Sequence, residues 1–382
     1  MIEFAATPAE VAAFLDRLPS VRKGLYLRPA GLLSGREGRA AVAAGRGKAL
    51  AGGNLAFTLC EIIVRNSHSV LTAVDDLLDW CDGAGGIVAA EMGERLSLLT
   101  RPRADFADLP LVAGSARQTV LMGIVNVTPD SFSDGGEAFA AADAIGKANT
   151  LRQQGAAIID IGGESTRPGA APVSPEEELR RVLPVIRQLA SHGAVVSVDT
   201  RNAEVMDAAM GMGAKIINDV SALGGDPRSV SVAAKTGAFV VLMHMQGVPA
   251  TMQNNPHYDD AALDVFDALE ARIRVCEEAG IPRGKIVVDP GIGFGKTKQH
   301  NAEILSRIAL YHGLGCGLMI GVSRKGFVAG SNGNEPPDKR LPGSLAAALA
   351  AVSQGCQILR VHDVAETRQA LAVWDAVHGP LG

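Results

Sequence analysis

Four polar side chains stand at the ends of short apolar runs. Asp160, Asp199, Asn218 and Asp289 each close, or nearly close, a run that is suited to a buried strand. Carboxylates so near an apolar core are rare unless they are paired or hydrogen-bonded. A carboxylate and an amide together can hold a planar heterocycle with an amino-pyrimidinone edge, because a carboxylate accepts two parallel N–H bonds. Two other uses stay open: capping of the following helices, and binding of Mg²⁺ or Ca²⁺.

A second group of side chains is basic and lies late in the chain. Arg324 and Lys325 follow the apolar run 318–322, and Arg360 and His362 come at the end of the run 357–361. If these runs are the last two strands of a barrel, their ends form a frequent phosphate site. The pattern favours a small anion over a structural ion pair.

The glycine-rich segment from Asp289 to Thr297 has the composition of a phosphate-binding loop without its spacing. A Walker loop needs glycine where Pro290 stands, and a dinucleotide loop needs glycine where Lys296 stands. What remains is a glycine-rich turn that lets backbone approach a ligand. The segment therefore predicts a binding turn without a nucleotide.

Two further loops, 128–136 and 162–172, are rich in Gly, Ser, Thr, Asp and Pro. Such composition is typical of mobile loops over an active site, although ordinary solvated turns have it too. His244 follows the run 239–243, but a lone histidine at a strand end is as often structural as catalytic. We therefore interpret the loops as lids and leave His244 without a role.

Eight apolar runs position these residues, and helical stretches separate them. Strands that alternate with helices form a parallel sheet, and eight such units fit a closed (β/α)8 TIM barrel, whose active site lies at the carboxyl ends of the strands. The predicted strands are 121–125, 157–161, 194–198, 216–217, 239–243, 286–288, 318–322 and 357–361. The clearest predicted helices are one starting at Pro175, and those at 259–278, 343–353 and 365–377.

Residues 1–115 do not follow this alternation. Thr7 and Pro8 indicate a helix start, 25–33 and 55–64 are suited to strands, and 74–81 is suited to a short helix. We predict a small α+β region of unknown role at 1–115, ending in a linker at 101–115, and a barrel at 116–382.

Composition narrows the classes of function. The chain has 382 residues, a net charge of −5 and no aromatic surplus, which argues against nucleic acid as the main partner. Its five cysteines include no Cys-x-x-Cys pair, so neither a disulfide framework nor a zinc site is indicated. No secretory leader or membrane-spanning run is recognisable, so we expect a cytoplasmic protein without a membrane partner.

An ordered series of motifs resembles the dihydropteroate synthases over about 119–382. The motifs are Asn126-Val-Thr-Pro-Asp-Ser-Phe-Ser-Asp-Gly-Gly136, Asp160-Ile-Gly-Gly-Glu-Ser-Thr-Arg-Pro-Gly169, Ser197-Val-Asp-Thr200, Ile217-Asn-Asp219, His244-Met-Gln-Gly247, Asp289-Pro-Gly-Ile-Gly-Phe-Gly295, Ser323-Arg-Lys325 and Arg360-Val-His-Asp363. The resemblance implies condensation of 6-hydroxymethyl-7,8-dihydropterin diphosphate with p-aminobenzoate, giving 7,8-dihydropteroate and pyrophosphate. It also implies Mg²⁺ and a homodimer.

The resemblance assigns roles to residues of this sequence. The residues expected to hold the pterin are Asp199, Asn218, Asp289 and Lys325. Those expected on the diphosphate are Asn126, Arg360 and His362, with Asn126 near Mg²⁺. Those expected around p-aminobenzoate are Thr166, Pro168, Phe294 and the segment after Lys325, and Asp160 and Arg167 are further expected substrate contacts. Gly326 departs from the family pattern, which has serine or a larger residue there, and residues 1–115 lie outside the family barrel.

Two rival functions remain at this point. A pterin-dependent methyltransferase would share the pterin-holding residues, but methyl transfer has no diphosphate for Arg360 and His362 to hold. A non-catalytic pterin-binding paralogue would be expected to have lost Lys325, Arg360 or Asp289, and all three are present.

Overall fold

The computed structural model describes residues 2–4, 7–15, 24–67, 69–114, 118–127, 136–165, 173–329 and 335–378. An N-terminal domain precedes a barrel. Helices and strands predicted from the sequence recur in both parts, within a few residues of their expected ends.

The N-terminal domain is a small α+β unit built on one sheet. Its strands are β1 (Ile2–Phe4), β2 (Leu25–Leu33), β3 (Lys48–Ala49), β4 (Ala56–Val64) and β5 (Ser69–Ala73). Its helices are α1 (Pro8–Leu15), α2 (Gly35–Ala43), α3 (Val74–Gly83) and α4 (Ile87–Thr100), with a short 3-10 helix at Leu50–Gly52. The strand order is β1-β5-β4-β2, with β3 paired to β4. Leu15, Phe57, Ile62, Leu77 and Leu99 are buried together between sheet and helices.

Parallel strands from the rest of the chain close into a barrel. Within the described residues they number eight: β6 (Val120–Asn126), β7 (Ile158–Gly162), β8 (Val195–Asp199), β9 (Ile216–Asp219), β10 (Phe239–Met243), β11 (Ile286–Asp289), β12 (Gly317–Ile320) and β13 (Ile358–Val361). Each strand pairs with its neighbour in the chain, and β13 pairs with β6 to complete the circle. The predicted TIM barrel is confirmed.

Helices cover the outside of the barrel because their apolar faces need a partner. They are α5 (Gly136–Gln154), α6 (Pro175–Ser191), α7 (Ala203–Gly211), α8 (Ser229–Thr236), α9 (Ala261–Glu278), α10 (Lys298–Ser306), α11 (Leu341–Val352) and α12 (Val364–His378). Short 3-10 helices lie at Arg283–Lys285, Ile308–Leu314, Gly326–Val328 and Pro337–Lys339. The start predicted at Pro175 is confirmed: the Ser174 hydroxyl accepts a bond from the Glu177 amide at 3.3 Å.

The predicted linker is part of the packed structure. We expected 101–115 to be a linker, but Phe106, Ala107 and Leu111 within it are buried against the amino-terminal end of the barrel. The Phe106 ring meets the Phe239 ring edge to face, with 5.2 Å between centroids. The inward side chains at the start of the strands form an apolar surface that needs a cover, which is why this segment is not solvated.

Polar contacts attach the N-terminal domain to the side of the barrel. Arg65 donates to Asp264 at 2.6 Å and to Asp267 at 2.9 Å, both on α9. Tyr26 donates to Asp267 at 2.9 Å, and its ring packs edge to face on Phe266. The two domains therefore share one interface.

All five cysteines are free. In the part of the chain that is described, helices long and apolar enough to cross a membrane are absent.

Candidate active site

One layer of the barrel interior is polar. Alternate residues of a strand face inward, and a layer of a TIM barrel takes one residue from every second strand. In this layer those residues are Asp160 on β7, Asn218 on β9, Asp289 on β11 and Arg360 on β13. Asp160, Asn218 and Asp289 are buried. The sequence placed these side chains at strand ends, and the barrel brings them together.

Arg360 joins Asp160 of this layer to Asp199 at the end of β8. Its Nε donates to Asp160 Oδ2 at 2.7 Å, and its Nη2 donates to Asp199 Oδ2 at 2.6 Å. Asp160 Oδ2 also accepts from Asn218 Nδ2 at 3.0 Å. Asp160 Oδ1 is buried and has no partner among the described residues. A buried acceptor without a donor is costly, so this oxygen indicates a place for a ligand's N–H group.

Burial and the charge of Arg360 shift the pKa of Asp199 in opposite directions. Loss of water raises the pKa of Asp199 to about 7, although the Arg360 guanidinium lowers it. Asp160 and Glu178 add to the increase because they are like charges. The carboxyl of Asp199 therefore titrates near neutral pH.

Asp289 and Lys325 lie on neighbouring strand ends and compensate each other's charge. Loss of water raises the pKa of Asp289 and lowers the pKa of Lys325 to about 8, and each group opposes the shift of the other. A Cβ atom placed on Gly321 would lie 3.7 Å from Asp289 Oδ2 and 3.8 Å from Lys325 Nζ, so glycine leaves room for both. This pair offers a ligand an acceptor beside a donor.

The glycine-rich turn lies next to this pair. Lys325 Nζ donates to the Ile292 carbonyl and lies 4.7 Å from the centre of the Phe294 ring. Asp289 Oδ1 accepts from the Gly291 amide at 2.7 Å. Gly291 lets the turn approach the backbone of the neighbouring loop closely, because a Cβ atom on Gly291 would be 1.9 Å from the His244 carbonyl oxygen. The turn is thus packed against the loop after β10.

Asn126 and Asp199 lie on either side of Gly162 at the carboxyl end of the barrel. A Cβ atom placed on Gly162, between them, would lie 3.5 Å from Asn126 Oδ1 and 3.8 Å from Asp199 Oδ2. No cluster of three His, Cys, Asp or Glu side chains suited to a metal occurs within the described ranges. Mg²⁺ usually keeps several waters and takes one or two protein oxygens together with substrate phosphates, and these two oxygens fit that mode.

Two members of the basic group, Arg324 and His362, offer a ligand less positive charge than the sequence suggested. Arg324 forms a two-bond ion pair with Asp363, which uses its charge inside the protein. His362 Nδ1 lies 3.0 Å from Ser323 Oγ, and loss of water together with the charge of Arg360 lowers the pKa of His362 to about 3. A neutral imidazole can donate one hydrogen bond to an anion, but it brings no positive charge.

The predicted lid loops are 128–136 and 162–172, and most of both lies outside the described residues, namely 128–135 and 166–172. Thr166, Arg167 and Pro168 are among the residues that are not described. The nearest described part of the second loop is anchored: Glu164 accepts from Arg201 at 2.8 and 3.1 Å and from the Val173 amide at 3.3 Å.

Two residues near the site had no role in the sequence analysis. Ser323 is buried, and its hydroxyl contacts both the backbone amide and the imidazole ring of His362. In the sequence, Lys296 served only to exclude a dinucleotide loop, yet in the structure it is buried beside the site. A lysine inside a glycine-rich turn is compatible with a ligand contact and with a buried structural role. The spacing of the residues in the turn does not distinguish the two.

Comparison with known proteins gives a consistent result. The family model described as pterin binding enzyme matches residues 122–362. The dihydropteroate synthase of Escherichia coli strain K12 is 50% identical over 257 residues, which are 67% of this chain and 90% of that protein.

Solved structures agree with the sequence relatives. The dihydropteroate synthase of Xanthomonas albilineans with 4-aminobenzoic acid is 45% identical, with a TM-score of 0.66, and the match covers 72% of this chain and 98% of that one. The same organism's enzyme in complex with 7,8-dihydropteroate is 43% identical, with a TM-score of 0.64 and the same shares covered. The chain therefore belongs to the dihydropteroate synthases, within the pterin-binding enzyme family.

Proposed function

We infer that this chain condenses 6-hydroxymethyl-7,8-dihydropterin diphosphate with p-aminobenzoate to give 7,8-dihydropteroate and pyrophosphate. Among the features of the site, the polar layer inside the barrel carries this conclusion: it presents buried acceptors and cationic donors at the end where TIM barrels act. Family membership then selects the reaction among those that this site could serve.

We propose that the pterin ring binds between Asp289, Asn218 and Lys325, with Asp199 as a further acceptor. The amino-pyrimidinone edge carries N–H donors beside a carbonyl oxygen. Two parallel N–H bonds suit a carboxylate such as Asp289, and the carbonyl suits the Lys325 ammonium. The side-by-side placement of these two groups supports the assignment.

We propose that the diphosphate binds near Arg360, His362 and Asn126. The guanidinium would stabilise charge that develops on the leaving oxygen, and neutral His362 would donate a hydrogen bond. Asn126 Oδ1 would be a ligand of Mg²⁺, with Asp199 Oδ2 close by. When bound, Mg²⁺ would neutralise charge on the departing diphosphate.

We propose that p-aminobenzoate binds beside Phe294 and the turn after Lys325, with Thr166, Arg167 and Pro168 completing the pocket. The aniline nitrogen forms a C–N bond to the methylene carbon as its C–O bond to diphosphate breaks, and the nitrogen then loses one proton. Because that nitrogen is neutral at pH 7, no strong general base is required. At Gly326 an added Cβ would meet no described atom within 4 Å, so the glycine leaves open space there.

We also propose a cytoplasmic homodimer. The five unpaired thiols support a reducing compartment. Val373 and Val377 on α12 are 61% and 71% exposed, which supports a self-association surface on that helix. Sedimentation of the purified chain tests the dimer.

A coupled assay for pyrophosphate tests the reaction. Full-length protein should release pyrophosphate only when the pterin diphosphate and p-aminobenzoate are both present, in equal amounts with dihydropteroate. Lys325→Met should reduce this release strongly, whereas Asp259→Asn should not, because Asp259 is 85% exposed in its side chain. Pyrophosphate release that does not depend on p-aminobenzoate would contradict the proposal.

A further inference from the structure

Lys296 is a buried lysine beside the candidate site. It follows the glycine-rich turn and is only 2% exposed. Its Nζ lies 2.9 Å from His244 Nδ1, 3.0 Å from the Gly291 carbonyl oxygen and 3.0 Å from the Phe294 carbonyl oxygen, with the His244 carbonyl at 3.3 Å. None of these partners is a carboxylate, and the described part of the chain gives Lys296 no ion pair.

The contacts of Lys296 satisfy its side-chain nitrogen in either protonation state. Loss of water lowers the pKa of Lys296 well below its usual range, although the charge of Asp289 opposes this shift. A charged Lys296 donates to the carbonyl groups of Gly291 and Phe294 and to Nδ1 of His244, whereas a neutral amine donates to the same two carbonyl groups and accepts from a protonated Nδ1. Loss of water and the lysine charge lower the pKa of His244 to about 3, which is consistent with a neutral ring.

These bonds tie together two loops at the mouth of the barrel. Gly291 and Phe294 belong to the turn after β11, and His244 begins the loop after β10. The loops touch through backbone, since a Cβ on Gly295 would lie 2.3 Å from the Gln246 carbonyl oxygen. Lys296 holds the carbonyl groups that line this contact, and such carbonyls are costly to bury without donors.

The turn held by Lys296 carries two of the proposed substrate contacts. The Gly291 amide donates to Asp289 Oδ1, which orients that carboxylate. Phe294, whose carbonyl Lys296 holds, places its ring 4.7 Å from Lys325 Nζ. Displacement of the turn would therefore move the aminobenzoate contact directly and the pterin contact through Gly291.

We propose that Lys296 is a positioning residue for the condensation: it touches neither substrate but fixes the turn that carries Phe294 and orients Asp289. The proposal rests on the proposed function for the identity of the substrates. A purely stabilising lysine would have a different kinetic effect, because loss of folded protein lowers apparent kcat and leaves KM unchanged.

Steady-state kinetics of Lys296→Met therefore tests the proposal. We expect KM for p-aminobenzoate to rise about tenfold and KM for the pterin diphosphate to rise less, while kcat per folded molecule stays within about threefold. Lys298→Met is the matched control, since this exposed lysine lies two residues away on α10, and its kinetics should equal those of wild type. The folded fraction is measured by near-ultraviolet circular dichroism.

A second variant keeps the proposal testable if Lys296→Met does not fold. His244→Phe removes the imidazole contact and retains the three backbone carbonyl contacts, so KM for p-aminobenzoate should rise in the same direction by a smaller factor. An unchanged KM in the folded variants, with or without a decrease in kcat, overturns the positioning role. Absence of dihydropteroate from wild-type enzyme overturns the proposed function as well, whereas active wild type with unchanged variants overturns this inference alone.

Discussion

Phe106 should contribute several kilocalories per mole to the stability of the barrel, although it precedes the first barrel strand. The side chain is 1% exposed and is packed among inward residues of the strands, including Met122, Ile158 and Ile216. Truncation of a buried phenylalanine to alanine costs about 3–5 kcal/mol, since it loses apolar burial and leaves a cavity. The edge-to-face contact with Phe239 is lost as well.

Urea unfolding of Phe106→Ala measures this contribution as a decrease in the free energy of unfolding. Turnover of the folded variant should be unchanged, because Phe106 lies at the amino-terminal end of the strands and the candidate site lies at the carboxyl end. Ile87→Ala is the control: Ile87 is 67% exposed, so its loss should cost no more than about 0.5 kcal/mol. A loss below about 1 kcal/mol for Phe106→Ala would refute the reasoning, since 101–115 would then behave as the linker that its sequence suggested.

Removal of the segment that contains Phe106 should also destabilise the barrel. A fragment of residues 116–382 would lack Phe106 and Leu111 and would expose the apolar end of the barrel. It should unfold at lower urea concentration than a fragment that begins at residue 101. Equal unfolding midpoints of the two fragments would contradict the role of the segment.

Three further predictions concern the site. Asp289→Asn keeps the shape of the side chain but loses a charge-assisted pair, so calorimetry should show pterin binding weakened by about 1.5–3 kcal/mol. Arg360→Ala should weaken pyrophosphate binding more than binding of the diphosphate-free hydroxymethyl pterin; it should also lower the free energy of unfolding by about 3–5 kcal/mol, because Asp160 and Asp199 lose their counter-charge. Equal losses for both ligands would indicate a structural role alone. The pH profile of kcat/KM for the pterin diphosphate should rise as Asp199 loses its proton near a pKa of about 7 and fall as Lys325 loses its proton near a pKa of about 8; a rising limb that persists in Asp199→Asn would contradict the assignment.

The sequence by itself determined the barrel and much of the polar layer. Apolar runs that end in polar residues are a local pattern, and the carboxyl ends of parallel strands must meet at one end of a closed sheet. That rule is sufficient to bring Asp160, Asn218 and Asp289 together. The ordered motifs then identified the family without any knowledge of distances.

Only the tertiary structure decided which charged side chains pair with one another. Arg324 and Arg360 look alike in sequence, but Arg324 is paired with Asp363 outside the polar layer, whereas Arg360 belongs to that layer and bridges Asp160 and Asp199. Burial decided the protonation of His362, because the cost of charging an imidazole depends on the water around it.

The structure also decided the roles of Phe106 and Lys296. A phenylalanine between prolines and aspartates has no periodic neighbours that would mark it as core, and the surface that it covers comes from strands more than a hundred residues away in some cases. The acceptors of Lys296 are mostly backbone carbonyl groups, which every residue possesses. Their convergence on one side-chain nitrogen depends on how two loops pack, and residue types at fixed spacing do not encode that convergence.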